Sequence, residues 1–314
     1  MCVSESLTDA LGDACKLAPM TAPFPLARAL VATDGTPSSD GALRIAAALA
    51  QRDATVLTAI SVIEPMPYPL PVADLAMAPT AVPFGEHEAI GERRRTVVAQ
   101  CERLGVMPPG DLLVMCSVPL SGILFQATAR KAELIIMGLG RHRAVDRLFG
   151  TETALHAVRD AETATLAVPA SATELPRHAI VGMDFDGSSI AAARVAARLV
   201  GPQGRITLVH VDAVTEPLPA MLADWPPHVL DTINDAFERM IAMLELPPTM
   251  QVGTIALAGH VGEELLQCAS RTGADLIAVG RHHRSMLERF VLGSSATKVV
   301  RSATCAVLVV PQDM

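Results

Sequence analysis

Ala274-Asp275-Leu276-Ile277-Ala278-Val279-Gly280 repeats Ala132-Glu133-Leu134-Ile135-Ile136-Met137-Gly138 at a distance of 274 − 132 = 142 residues. Each copy is an apolar run behind one acidic residue and ends on glycine, as a buried strand does where it runs into a tight turn. Both continue through a basic, His-containing loop and a helix-like stretch into a closing strand. Those strands are Thr165-Leu166-Ala167-Val168-Pro169 and Ala306-Val307-Leu308-Val309-Val310-Pro311, whose prolines are again 311 − 169 = 142 apart. Upstream, Ala29-Leu30-Val31-Ala32-Thr33-Asp34 and Ala179-Ile180-Val181-Gly182-Met183-Asp184 each end an apolar run on Asp. Solenoid units recur every ~20–50 residues, so so long a period marks a duplicated domain.

Working outward, each copy alternates strands with helices. In the first, Asp34-Gly35-Thr36-Pro37 is a turn in which Thr36 can cap a helix and Pro37 suits its first position. Leu43, Ala46, Ala47 and Ala50 then recur at helical spacing, followed by strands near 55–63 and 112–118. In the second, strands are expected at 179–184, 206–211, 252–257 and 276–279. Val229, Ile233, Phe237, Met240, Ile241 and Leu244 form a helical stripe. Mostly apolar strands alternating with helices argue for parallel sheet covered on both faces. The expected fold is therefore α/β: two Rossmann-like, doubly wound, five-stranded parallel-sheet domains in tandem. Their bounds are residues 26–170 and 177–312, with a short linker near Ser171–Arg177. A proline-rich segment interrupts each copy after its second strand (Pro65 to Pro83; Pro217 to Pro227), as a surface linker or as a lid or partner surface.

Composition narrows the function classes. The 314 residues are half hydrophobic and 18% charged, with net charge 25 − 33 = −8. Such a chain has no global attraction to nucleic acid or anionic membrane, so any anion site is local. Aromatics are scarce at 3%, which leaves no stacking platform for single strands. The six cysteines show no C-x-x-C pair or metal-like spacing, which fits a reducing cytoplasm. Residues 1–25 carry Glu5, Asp9 and Asp13 without an apolar signal region and read as a flexible tail. No apolar run reaches the ~18–20 residues of a membrane span. A soluble cytoplasmic protein is expected.

In open parallel sheets, ligands bind beyond the carboxyl ends of the strands where the winding reverses. Asp34 and Asp184 lie there after the first strands, and Gly138 and Gly280 after the fourth. The fuller pattern is in the second copy: Gly280-Arg281-His282-His283-Arg284, then Gly293-Ser294-Ser295 at a helix start. Glycine admits an anion close to backbone, the helix start supplies free N–H groups, Ser294 adds a hydroxyl, and Arg281 and Arg284 add positive charge. That set suits a phosphate chain. No Walker loop, nucleophile elbow, catalytic dyad or metal cluster is present, since His210 and Asp212 only alternate on a strand and adjacent His282 and His283 diverge.

The order of elements, the strand-one Asp, the glycine loop with Gly-Ser and the closing Val-Leu-Val-Val strand resemble the universal stress protein family over residues 26–312. Members that bind ATP carry G-x2-G-x9-G-[ST], with the base contacted by the strand-one Asp and a Val near the end of strand two. The resemblance implies Asp184 and, roughly, Val211 at adenine and Gly280, Gly293 and Ser294 at the phosphates, with Val279, His283 and Ser295 also among the nucleotide-binding residues. His283 stands where the motif has its second glycine. The first copy departs further: Gly138-Leu139-Gly140 is one residue short, although Gly140-x9-Gly150-Thr151 keeps the later spacing. Its site is expected to be degenerate. The resemblance also implies an intrachain pseudo-dimer through the final strands and a further homodimer. The function expected is adenine-nucleotide binding in stress response or signalling, with ATP as ligand and no efficient catalysis. The alternatives are a scaffold of the same fold that binds no nucleotide and, third, a nucleotide-dependent enzyme.

Overall fold

The computed structural model describes residues 26–65, 86–139, 151–213, 227–281 and 294–312. The expected tail, most of both proline-rich segments, and Gly140, Gly150, His282, His283, Arg284 and Gly293 lie outside the described residues. The first half runs β1 (Arg28–Ala32), a 3-10 turn (Pro37–Ser39), α1 (Asp40–Asp53), β2 (Val56–Ile63), α2 (Glu86–Leu104), β3 (Asp111–Cys116), α3 (Pro119–Ala129), β4 (Leu134–Leu139), α4 (Thr151–Asp160) and β5 (Ala164–Pro169). The second runs β6 (His178–Gly182), α5 (Gly187–Val200), β7 (Arg205–Ala213), α6 (Pro227–Leu244), β8 (Gln251–Gly259), α7 (Val261–Thr272), β9 (Leu276–Arg281), α8 (Ser294–Ser302) and β10 (Ala306–Pro311).

The strands are apolar at successive positions because both faces are covered. On β1, Val31 belongs to the core under α1 while Leu30 belongs to the one under α3 and α4, and both are fully buried. Two local readings change. Thr36 precedes a 3-10 turn and its hydroxyl bonds the Asp34 carboxylate at 2.8 and 2.9 Å, so it caps no helix through its side chain. The third strand stops at Cys116, short of Val118, because Pro119 opens α3 and holds Val118 extended at φ −64°, ψ 123°.

The two five-stranded units meet through their final strands, as the resemblance implies, and so form one sheet. Strand order is β3-β2-β1-β4-β5-β10-β9-β6-β7-β8, parallel throughout except where β5 meets β10. That pair is antiparallel, with Leu308 opposite Leu166, Val307 opposite Ala167 and Val309 opposite Thr165. Each closing strand would otherwise leave an open hydrogen-bonding edge beside apolar side chains, and pairing removes both edges. Antiparallel pairing also makes the two halves run in opposite senses, so their carboxyl strand ends face opposite ways.

The core is continuous across this junction. Ile45, Leu166 and Val168 of the first half share one cluster with Ile190, Ala193, Leu308 and Val310 of the second. On the other face Leu139, Leu155 and Val158 pack with Val299, Val300 and Ala303. Two arginines then cross from one half to a helix end of the other. Arg52 donates to the carbonyls of Arg198 at 2.6 Å and Leu199 at 2.7 Å, in the last turn of α5. Arg281 is 6% exposed and donates to the carbonyl of Val158 at 3.1 Å and to that of Arg159, in the last turn of α4. Carbonyls there have no intrahelical donor, and the helix dipole favours a cation.

Arg281→Ala is expected to destabilise the chain by about 1.5–3 kcal/mol, the worth of charged hydrogen bonds to backbone; chemical denaturation of the two proteins measures it. A second expectation concerns His178, whose Nε2 lies 2.9 Å from Thr207 Oγ1. Burial, reinforced by Arg205, pulls its imidazole below the ordinary value of 6.5, against an opposing pull from Asp275. The unfolded chain therefore takes up the proton first. The stability His178 contributes is complete above the unfolded value and is lost as pH falls through the folded one. His178→Gln should flatten the fall of the unfolding midpoint as pH drops below the ordinary histidine value.

Candidate functional site

Both halves have their winding reversal between strands one and four: β1 beside β4, and β6 beside β9. In the first half the carboxyl ends there enclose a cavity of about 300 Å³. Its floor is apolar, from Ala32, Ile60, Val62, Ile123 and Met137, and its rim carries Asp34, Ser38, Glu64, Arg93, Gly138 and Thr153. Arg93 also reaches Ser61 Oγ at 3.4 Å. A concave apolar floor with convergent polar groups is the usual form of a small-molecule site.

Strand register carries these walls onto the second half. Ala32 pairs with Ile60 as Gly182 pairs with Val209, so Asp34 corresponds to Asp184, Val62 to Val211 and Glu64 to Ala213. The 142-residue shift brings Met137 onto Val279, Gly138 onto Gly280 and Thr153 onto Ser295. Five of the eight residues proposed from sequence therefore stand where the first half has cavity walls. Val211 and Val279 are buried at 8% and 7% exposure, Asp184 is exposed, and Ser295 is partly buried in the first turn of α8. Ser294 opens that helix, while His283 and Gly293 lie outside the described residues.

The glycine that ends strand four has a packing role that the sequence did not reveal. A Cβ on Gly280 would sit 2.3 Å from Ser188 Oγ and 2.6 Å from Ser188 C, and one on Gly138 would sit 2.5 Å from Ser38 O. What approaches this backbone is the segment that follows strand one: the first turn of α5 in the second half and the 3-10 turn Pro37–Ser39 in the first. In the second half that helix, α5, is capped by Asp186, whose Oδ1 accepts from Ser189 N at 2.8 Å. Asp186, and not the strand-one Asp, thus does the capping. In the first half Asp34 is committed to its own turn, accepting from Thr36 N at 3.0 Å and Ser39 Oγ at 3.1 Å. Asp184 accepts from Asp186 N at 3.4 Å.

The electrostatics of the two rims differ. Glu64 of the first-half rim has Ala213 as its counterpart, so that carboxylate is not repeated, while Asp186 stands where the first half has Thr36. Arg281, expected beside phosphate, instead points its guanidinium at α4 of the first half. Among the described residues no group of three or more His, Cys, Asp or Glu is arranged to hold a metal, and no helix is long and apolar enough to cross a membrane.

The turns after strand one are held differently. In the first half Thr33 Oγ1 bonds Ser39 Oγ and Gln100 Oε1, both at 2.8 Å, and Gln100 Nε2 reaches Thr36 O and Asp40 Oδ1. Asp40 is also paired with Arg103 through two 2.7 Å bonds, and these hold its carboxyl below the usual range. In the second half Met183, Phe185, Ile190 and Phe237 form an apolar plug. Phe185 holds the left-handed backbone, φ 62°, that Gly35 holds at φ 81° in the first half. That geometry costs a non-glycine residue roughly 1–2 kcal/mol. Full burial of the ring, worth about 1.5–3 kcal/mol, offsets it. The signal for Phe185 was available in the aligned repeats, as a glycine in one copy opposite a phenylalanine in the other.

Gly280→Ala is expected to lower the thermal midpoint of ligand-free protein, costing about 1–3 kcal/mol through overpacking against Ser188. An unchanged midpoint would show that the first turn of α5 gives way freely.

Comparison with known proteins follows the duplication. The sequence profile of the universal stress protein family matches twice, over residues 26–169 and 176–311. The chain is similar to universal stress protein YxiE of Bacillus subtilis, 30% identical over 142 residues, which is 42% of this chain and 95% of that protein. It is 39% identical over 61 residues to a universal stress protein of Methanocaldococcus jannaschii, a match spanning 19% of this chain and 36% of the relative's length. In structure it is similar to a universal stress protein from Archaeoglobus fulgidus, with TM-score 0.61 and 16% identity over 92% of this chain and 97% of the other. At that identity the likeness is one of fold.

Proposed function

The chain belongs to the universal stress protein family, and on that premise we propose that its second domain binds an adenine nucleotide, ATP above all, in a stress-response or signalling role without efficient turnover. The observation that carries this is the correspondence with walls of the first-half cavity, by strand register for Asp184, Val211, Val279 and Gly280 and by the 142-residue repeat for Ser295. Asp184 and Val211 would take the base. Val279, Gly280, His283, Gly293, Ser294 and Ser295 would surround the phosphates, with the amino end of α8 supplying N–H donors. A protonated His283 would favour phosphate where the motif has glycine. A cytoplasmic location and a homodimer built on the intrachain pair of domains complete the proposal.

A scaffold that binds no nucleotide is favoured by one observation, that Gly280 is already required by Ser188 and needs no ligand to explain it. The two are separable. Mass spectrometry of denatured, freshly purified protein should release a bound nucleotide, or titration calorimetry should register ATP binding. Gly293→Leu should abolish most of that binding, while Gly150→Leu should change it little. Absence of both a co-purified nucleotide and a response to millimolar ATP would leave the scaffold as the function. The opposite ranking of the two variants would move the site to the first half.

A further inference from the structure

On the premise of the nucleotide site proposed above, we infer that Phe185 and His210 are positioning residues for the adenine contacts, their paired rings holding the Asp184 turn against the end of β7. Phe185 follows Asp184 directly, and His210 directly precedes Val211. The rings lie 4.8 Å apart, tilted by 36°, and Phe237 of α6 meets Phe185 edge-on at 5.2 Å. His210 Nδ1 is 2.8 Å from Met183 O, the carbonyl just before Asp184, so a protonated Nδ1 donates to it. One residue further along the chain from each ring partner is therefore a proposed base contact, or one residue before. The tie runs on the α5 and α6 face, while Val211 packs on the opposite face with Val279.

The comparison between halves isolates what the pair does. The first half has Gly35 for Phe185 and Ser61 for His210, and there hydrogen bonds from Thr33, Ser39 and Gln100 fasten the turn. The second half keeps the serine, as Ser189 bonding Asp186 O at 3.0 Å, but has Met183 for Thr33. It also keeps a bulky residue in left-handed backbone, a geometry that persists only where its surroundings over-determine it. What the second half adds to the hydrogen bonds of Asp184, Asp186 and Ser189 is the two rings and the His210 bond to Met183 O, beside the base contacts. Their effect is on which base is accepted, since the rings belong to the residues directly next to Asp184 and Val211, the two proposed base contacts.

Calorimetric titration of the full chain with ATP and with GTP tests this. Wild type should prefer ATP, and Phe185→Gly, which keeps the left-handed backbone without the ring, should lose about tenfold or more in ATP affinity. GTP binding should stay within about twofold, so that the preference collapses. His210→Gln, which keeps a donor for the Met183 carbonyl and removes the ring, reads the same ratio and decides the matter if Phe185→Gly does not fold. An unchanged preference in the variants, or no preference in wild type, overturns the positioning role and leaves the nucleotide site standing. Equal losses for both nucleotides mark a purely structural role and also overturn it. Failure of wild type to bind ATP removes the nucleotide site, and this role falls with it.

Discussion

Antiparallel pairing of β5 with β10 is the contact on which the rest of the molecule depends. It turns two five-stranded sheets into one of ten strands and buries a single apolar cluster across the seam. Backbone edges that would invite aggregation become interior hydrogen bonds. The same pairing brings α1 beside α5 and α4 beside α8, close enough for Arg52 and Arg281 to satisfy helix ends of the opposite half. It also sets the two winding reversals facing opposite ways, so each half can change its site without disturbing the other.

That freedom has been used. The first half keeps a cavity with a mixed rim and fastens its strand-one turn with a buried hydrogen-bond network. The second half fastens its turn through Asp186 and Ser189, adds the rings, accepts a strained Phe185, and has alanine where the first has Glu64. Both retain the strand-four glycine, because the segment that follows strand one occupies the space a side chain would need. A glycine kept in both halves is thus a demand of the fold, and it supports a ligand only indirectly.

Much of this was legible in the sequence. The 142-residue repeat, the apolar strands and the helical stripes gave the order of elements and the place of each winding reversal. Asp184, Val211, Val279 and Gly280, proposed from the family resemblance, correspond by register to walls of the first-half cavity, and Ser295 does so by the 142-residue repeat. Less legible was anything that depends on contacts between distant segments. Arg281 sits in a basic run and looked like a phosphate ligand, yet burial against α4 engages its guanidinium with helix-end carbonyls. Thr36 looked like a cap, yet Asp34 was close enough to take its hydroxyl.

By itself the sequence determined the duplicated α/β architecture, the strand-one Asp and strand-four Gly positions, and the divergence of the two loops, because periodicity and turn chemistry are local properties. Only the tertiary structure decided that the final strands join antiparallel into one sheet, that Gly280 faces Ser188, and that Phe185 and His210 pair beneath the candidate base contacts. Those outcomes rest on edge pairing, on close packing across 92 residues (280 − 188) of chain, and on which face of a strand each side chain takes. No local pattern encodes them; they follow from which surfaces are buried together.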